Sequence, residues 1–99
     1  MTEANAIDSD RIYSKTDNFI ESSVDDEAIL MHLDEGSFSS LKTTGLRIWA
    51  LVDEGRSVGD ICSVLCGEFD VERPVCEEQT AAFLENLRER GLVEIKTPQ

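Results

Sequence analysis

The sequence predicts an α+β domain in which three strands of an antiparallel sheet precede three helices, in the order β-β-β-α-α-α. Apolar residues alternate with period two between residues 19 and 41, and from residue 43 to residue 90 they recur about every 3.6 residues. Ninety-nine residues, of which 40% are apolar, suffice for one modest core. We therefore expect one domain over residues 17–96, preceded by a flexible tail or a loosely docked arm over residues 1–16, where large apolar side chains are few.

The three predicted strands form a meander. The first two, 19–24 and 27–33, are joined by an acidic turn, and Gly36, which tolerates a positive φ, lies in the second turn. The third strand, 37–41, is the last of the three, so we expect it to be an edge strand. Its small side chains, without Pro, Lys or Arg, leave the backbone open to pairing with another chain. A short extended segment at 92–95 ends the domain.

Three helices follow the strands. Either Thr43 or Thr44 is expected to cap the first helix, and Gly55 to end it. A second helix over 58–66 begins with the spacing of a capping box, so the first two helices form a tight helix-turn-helix. A third, longer helix over 74–90 begins with proline, whose missing N–H is harmless in a first turn.

The chain is strongly acidic, with 21 Asp and Glu against 9 Lys and Arg and a net charge of −12. Nucleic acids and anionic membranes are bound mainly through clustered basic side chains, so neither is expected as a partner. Ten of the acids and two of the bases lie in residues 1–36, whereas residues 37–40 carry no charge. We expect the acidity to provide solubility and to favour neutral or basic partners.

The chain shows no export or membrane signal. No run approaches the ~20 apolar residues that span a bilayer, and residues 1–10 lack the basic-then-apolar layout of a signal peptide. Three cysteines without framework spacing fit reduced thiols better than disulfides. The sequence therefore predicts a cytoplasmic protein.

The residues able to carry chemistry form no recognisable site. Cys62, Cys66 and Cys76 would need His32 as a fourth zinc ligand, and their spacing is helical rather than that of a zinc-binding turn. His32 is also the only histidine available to activate a cysteine, and it lies in an apolar strand, where a structural role is expected. Nucleotide-binding, zinc-protease and calcium-loop motifs are missing from the sequence. We therefore predict neither an enzyme nor a cofactor.

The tight turn between the first two helices also fits a transcription regulator of the helix-turn-helix type. The second helix, 58–66, has no Lys, Arg, Asn or Gln to contact phosphates or base edges. The third helix carries more glutamates than arginines. Charge therefore disfavours DNA binding, and this function stays open as an alternative.

A family resemblance is carried by glycines and apolar residues that occur in a fixed order. These residues are Gly45, Ile48, Trp49, Gly55, Gly91 and Leu92. In this order and spacing the sequence resembles the PqqD-like family over residues of about 19 to 95. It departs from the family at Lys42, where most members have an asparagine that caps the first helix.

The resemblance implies a small winged helix-turn-helix domain that acts as a RiPP recognition element. Such domains bind the leader segment of a ribosomally synthesised precursor peptide and present the precursor to modifying enzymes, without catalysis of their own. The resemblance favours lasso-peptide maturation, with PQQ-type cofactor biosynthesis as the alternative. The implied partners are a precursor peptide and a modifying enzyme such as a leader peptidase or a radical enzyme. The open edge strand also leaves a homodimer possible.

The resemblance also implies where the leader binds. It would add as a strand to the third strand and pack its apolar side chains beside the third helix. The expected peptide-binding residues are Ser37, Phe38, Ser39, Ser40, Leu41, Thr80, Ala81, Leu84 and Arg88. Phe38 and Leu41 are three residues apart in a strand, so they are expected on opposite faces.

Overall fold

The computed structural model describes residues 10–96, which form five strands and three helices. The strands are β1 (Ile12–Lys15), β2 (Phe19–Val24), β3 (Glu27–His32), β4 (Phe38–Lys42) and β5 (Val93–Lys96). The helices are α1 (Thr43–Asp53), α2 (Val58–Glu68) and α3 (Arg73–Glu89). The predicted α+β class and its three helices are confirmed. No helix within residues 10–96 has the length and apolar character needed to cross a membrane.

The strands belong to two sheets rather than one. Strands β2, β3 and β4 form the predicted antiparallel meander, with Leu30 opposite Ser39 and Ala28 opposite Leu41. Strand β1 pairs with β5 in a separate antiparallel sheet, in which Tyr13 lies opposite Ile95.

Strand β1 lies within the segment that the sequence predicts to be a flexible tail or a loosely docked arm, and the first of these alternatives is wrong for Ile12–Lys15. These residues are ordered by pairing with β5 at the other end of the chain and by burial of Tyr13, which is 3% exposed. A partner so distant in sequence leaves no trace in local periodicity. Residues 1–9 of the predicted tail lie outside the described residues.

The core lies between the inner face of the three-stranded sheet and the helices. Trp49 of α1, 2% exposed, is its largest buried side chain, and Phe19 packs edge-on against it with ring centroids 5.3 Å apart. The indole N–H donates to Glu21 Oε1 at 3.1 Å, and Lys15 Nζ lies 4.2 Å from the ring centroid. Trp49 therefore ties α1 to both sheets.

The junction between β4 and α1 differs from the prediction. Lys42 is the N-cap residue and no side chain of residues 10–96 caps the helix; Thr43, the first residue of α1, has a left-handed φ of 51°. Neither predicted threonine cap forms, because the chain passes from strand to helix without a linker. By contrast, Ser57 Oγ accepts the Asp60 N–H at 3.2 Å, as the predicted capping-box spacing of α2 requires. The direct β4–α1 connection holds β4 close to the helical layer.

Candidate functional site

Strand β4 is an edge strand of the three-stranded sheet. It pairs with β3 on one side, and no strand of residues 10–96 pairs with it on the other. In an antiparallel ladder every second residue directs its N–H and C=O groups away from the neighbouring strand. Along its open side β4 therefore offers backbone donors and acceptors to an added strand.

A groove of about 330 Å³ runs between this open edge and α3. It is lined by Phe38, Ser39, Ser40, Leu41, Phe83, Asn86, Leu87 and Arg90. Four of the five predicted strand residues line this groove, and Ser37 lies just before β4. The open edge and the groove together allow main-chain pairing and side-chain packing in one place.

The side chains of β4 alternate between the two faces of the sheet. Leu41 points toward the helices and is 5% exposed, as a member of the core. Phe38 lies on the outer face and is 65% exposed, the largest exposed fraction among the large apolar side chains described. On β2, Ile20 is likewise exposed on the outer face. Phe38 is therefore an exposed aromatic residue beside an open backbone edge.

The residues of α3 predicted to face the groove do not line it. Thr80 and Leu84 are 1% and 0% exposed, because the row of Thr80, Leu84 and Leu87 packs into the core. Arg88 is exposed but pairs with Glu85 at 2.8 Å. Ala81, which is half-buried, is also absent from the groove lining.

Apart from Leu87, the α3 residues that line the groove belong to the neighbouring row, namely Phe83, Asn86 and Arg90. In the sequence, Phe83 shares four-residue spacing with Leu87, which predicts that both lie on the core face of the helix. A rotation of the helix by about one residue, or roughly 100°, exchanges the two rows. The polar residues Asn86 and Arg90 at the helix end were the available signal for the groove side.

Arg90 spans the groove at the C-terminal end of α3. Its Nη1 donates to Ser39 Oγ at 2.7 Å. Ser39 Oγ also lies 3.0 Å from Nε2 of His32, which is 1% exposed. The Nδ1 atom of His32 makes no hydrogen bond, and its nearest carboxylate oxygen is Glu35 Oε1 at 4.0 Å. A buried imidazole thus holds the serine that orients the arginine.

An apolar cavity of about 360 Å³ adjoins the groove at Phe83, which lines both. The cavity lies among α1, α2 and α3 and is lined mostly by apolar side chains, including Ile48, Leu65 and Phe69. Gly45 permits the close approach of the Phe83 ring, since a Cβ at this position would lie 3.3 Å from Phe83 Cε1. The glycine singled out in the sequence therefore positions a groove residue.

A polar cluster attaches β1 to the opposite side of α3. Tyr13 donates its hydroxyl proton to Glu85 Oε2 at 2.5 Å, and Arg88 Nε donates to the same carboxylate at 3.1 Å. The hydrogen bonds from Arg88 and then from Tyr13 lower the pKa of Glu85 to about 2. Burial and the bond to Glu85 raise the pKa of Tyr13. Arg88 therefore has a structural partner on the side of α3 away from the groove.

The three cysteines lie at the interface of α2 and α3 as free thiols. Cys62 and Cys76 are buried, and Cys76 Sγ lies 3.9 Å from Thr80 Oγ1. Burial raises the pKa of both Cys66 and Cys76, which disfavours the reactive thiolate. Among residues 10–96 no group of three or more His, Cys, Asp or Glu is placed to hold a metal ion. These thiols pack as small apolar groups.

Comparisons with known proteins identify one family and two similar solved structures. The family of coenzyme PQQ synthesis protein D (PqqD) matches residues 27–93. No curated protein sequence matches significantly. The solved structure of TbiB1 in complex with the TbiA(beta) leader peptide is similar to this chain, with 33% identity and a TM-score of 0.77 over 86% of this chain and 99% of that one.

A second similar structure is lasso peptide synthetase B1 complexed with its leader peptide. It has 24% identity and a TM-score of 0.77, over 83% of this chain and 96% of that one, and so supports the fold. The family match covers more than half of the chain and includes the edge strand, the three helices and the start of β5. This chain belongs to the PqqD family.

Proposed function

We propose that this protein binds the leader segment of a ribosomally synthesised precursor peptide and presents the precursor to modifying enzymes during lasso-peptide maturation. The observation that carries the proposal is the open edge of β4 beside the groove of α3. Strand addition takes its affinity from main-chain hydrogen bonds and its specificity from side-chain pockets, and both are available here. TbiB1, which is 33% identical to this chain, forms a complex with a leader peptide.

The leader would pair with the outward backbone groups of Phe38 and Ser40, because these alternate with Ser37, whose C=O accepts the His32 N–H on the β3 side. Phe38 would contact side chains on the outer face of the added strand, and Phe83, Asn86 and Arg90 would contact those on the inner face. Thr80 and Leu84 support this surface from the core, and Ala81 and Arg88 lie outside it.

In this proposal the protein is a winged helix-turn-helix domain that binds a peptide and has no catalytic activity of its own. Helices α1 and α2 are joined by residues 54–57, as that form requires. A leader peptidase or a radical enzyme would act on the presented precursor in the cytoplasm, where ribosomes make it. Because the edge that accepts a leader also accepts a second copy, the chain would form a homodimer only when no leader is bound.

Biosynthesis of a PQQ-type cofactor is the second candidate, favoured by the description of the matching family. The two functions share the groove and differ in the precursor and the enzyme. A peptidase gene and a short precursor gene beside the coding sequence would favour lasso-peptide maturation, whereas a radical-enzyme gene would favour the cofactor pathway. A transcription regulator is disfavoured, because α2 carries no basic residue.

The experiment that tests leader binding is a titration of the ¹⁵N-labelled protein, followed by amide chemical shifts. The peptides are the TbiA(beta) leader and the leader of any short precursor that sequencing of the neighbouring genes identifies. We expect shifts in residues 38–41 and in Phe83 and Arg90, and slower solvent exchange of the outward N–H groups of β4. Shifts confined to β2 or α2, or no shifts with either leader, would contradict the proposal.

A further inference from the structure

Arg90 differs from the other arginines of residues 10–96. Each of the others lies within 4.0 Å of a carboxylate oxygen. These are Arg11, Arg47, Arg56, Arg73 and Arg88. Arg90 instead donates a hydrogen bond to the hydroxyl of Ser39. Within residues 10–96 it forms no ion pair. Among the many acidic residues of the described range, none lies within ion-pair distance of the arginine beside the groove.

The guanidinium of Arg90 is held in place with donors to spare. A guanidinium has five N–H donors, and the bond to Ser39 uses one of them. Ser39 in turn is fixed by Nε2 of buried His32. A planar guanidinium held in this way binds a carboxylate through two parallel hydrogen bonds more favourably than it binds a neutral group.

The other residues that line the groove would not oppose an acidic ligand. The lining contains no Asp or Glu, and Arg90 carries the only charge on it. The net charge of −12 acts over long distances and is screened by salt, whereas a direct contact with the exposed Arg90 acts at short range and would be partly covered by the added strand. Local recognition of an acid is therefore compatible with an acidic chain, contrary to the expectation of a basic partner.

The register of β4 determines where that acid would lie on an added strand. Residues directly opposite each other in paired strands have their side chains on the same face. The residue opposite Ser39 would point toward α3 and Arg90, and so would the residue opposite Leu41, two positions away. Phe83 and the buried edge of Leu41 make this second position apolar.

We propose that Arg90 selects leader segments with an acidic side chain opposite Ser39 and an apolar side chain opposite Leu41. The recognised strand then carries an acidic and an apolar residue separated by one residue. This inference rests on the proposed function and specifies the class of peptide that the groove accepts. Ser39 and His32 act as positioning residues for the guanidinium.

The test is a selection from a library of random ten-residue peptides against three forms of the whole protein. These are the wild type, Arg90→Glu and the control Arg88→Gln, which changes an exposed arginine of the same helix away from the groove. The wild type and the control should enrich Asp or Glu two positions from an apolar residue. Arg90→Glu should enrich Lys or Arg at the acidic position.

A second measurement changes the peptide, so that its first comparison uses only the wild-type protein. The acid of a selected peptide is replaced by its amide, and affinity for the wild type is expected to fall about tenfold, as for loss of one charge-assisted pair. The same replacement should have little effect on binding to Arg90→Gln, as a double-mutant cycle requires for a direct contact.

The outcomes separate the two proposals. Selected peptides that shift the amides of β4 but show no acidic position would overturn the role of Arg90 and leave leader binding intact. Selected peptides that leave the β4 amides unshifted would overturn strand addition itself. An equal loss of affinity in Arg90→Gln and Arg88→Gln would assign the effect to net charge rather than to the groove.

Discussion

Replacing Phe38 by alanine is expected to weaken leader binding while leaving the fold nearly unchanged. Phe38 is 65% exposed, so folding buries only about a third of its surface. For an aromatic side chain of roughly 200 Å², truncation to alanine therefore removes at most about 70 Å² of buried surface. At ~25 cal/mol per Å² this lowers the free energy of unfolding by less than about 2 kcal/mol. Because an extended reference chain overstates burial, we expect a loss of about 1 kcal/mol in the free energy of unfolding.

The effect on binding should be at least as large. An exposed aromatic residue next to a paired backbone is a typical interface anchor, and truncating one costs at least ~1 kcal/mol. That corresponds to a Kd about fivefold higher or more. Calorimetric titration with the leader would measure the Kd, and urea unfolding would measure stability.

The matched control is Ile20→Ala. Ile20 is 57% exposed on the same outer face but lies on β2, at the opposite edge of the sheet. It should lose similar stability and keep its affinity for the leader. Unchanged affinity in Phe38→Ala, or an equal loss in both variants, would refute the assignment of the leader to the edge of β4.

Three further predictions concern the core and the polar cluster. Leu84→Asp should unfold the protein, because Leu84 is 0% exposed and a charge there has no partner. A variant that stays folded but binds the leader more weakly would show instead that Leu84 contacts the leader. Trp49→Ala should lower the free energy of unfolding in urea by about 3–5 kcal/mol, since it removes a large buried ring; a loss below about 1 kcal/mol would contradict this. Glu85→Gln should lower the free energy of unfolding by about 1 kcal/mol at pH 7. This is less than the full pKa shift would give, because the carboxylate is partly exposed to solvent. The folded-state pKa of Glu85 is lowered to about 2, so its contribution is present above pH 4.5 and is lost as the pH falls toward 2. A Glu85→Gln variant equally destabilised at pH 2 and pH 7 would rule out ionisation of Glu85 as the source.

The sequence predicted the type and length of α3 but not which of its faces is buried. The period of its apolar residues predicted its type and nearly its length, from 74 to 90 against Arg73–Glu89 observed. Two adjacent rows of that helix contain large apolar residues, one with Phe83 and one with Leu84. Which row is buried depends on how α2 and β4 approach the helix, and a local pattern carries no record of that approach. The α3 residues predicted for the groove therefore lie one row away from Phe83, Asn86 and Arg90, which line it.

What the sequence by itself determined is the set of local features: the strand and helix periods, the uncharged edge strand, the glycines at turns and the family. These depend on interactions between residues close together in the chain. Only the tertiary structure decided the pairing of β1 with β5, the cap of α1 and the rotation of α3. It also brought His32, Ser39 and Arg90 together, from β3, β4 and the end of α3. Contacts between residues far apart in the chain form only when the core packs, so no local periodicity encodes them.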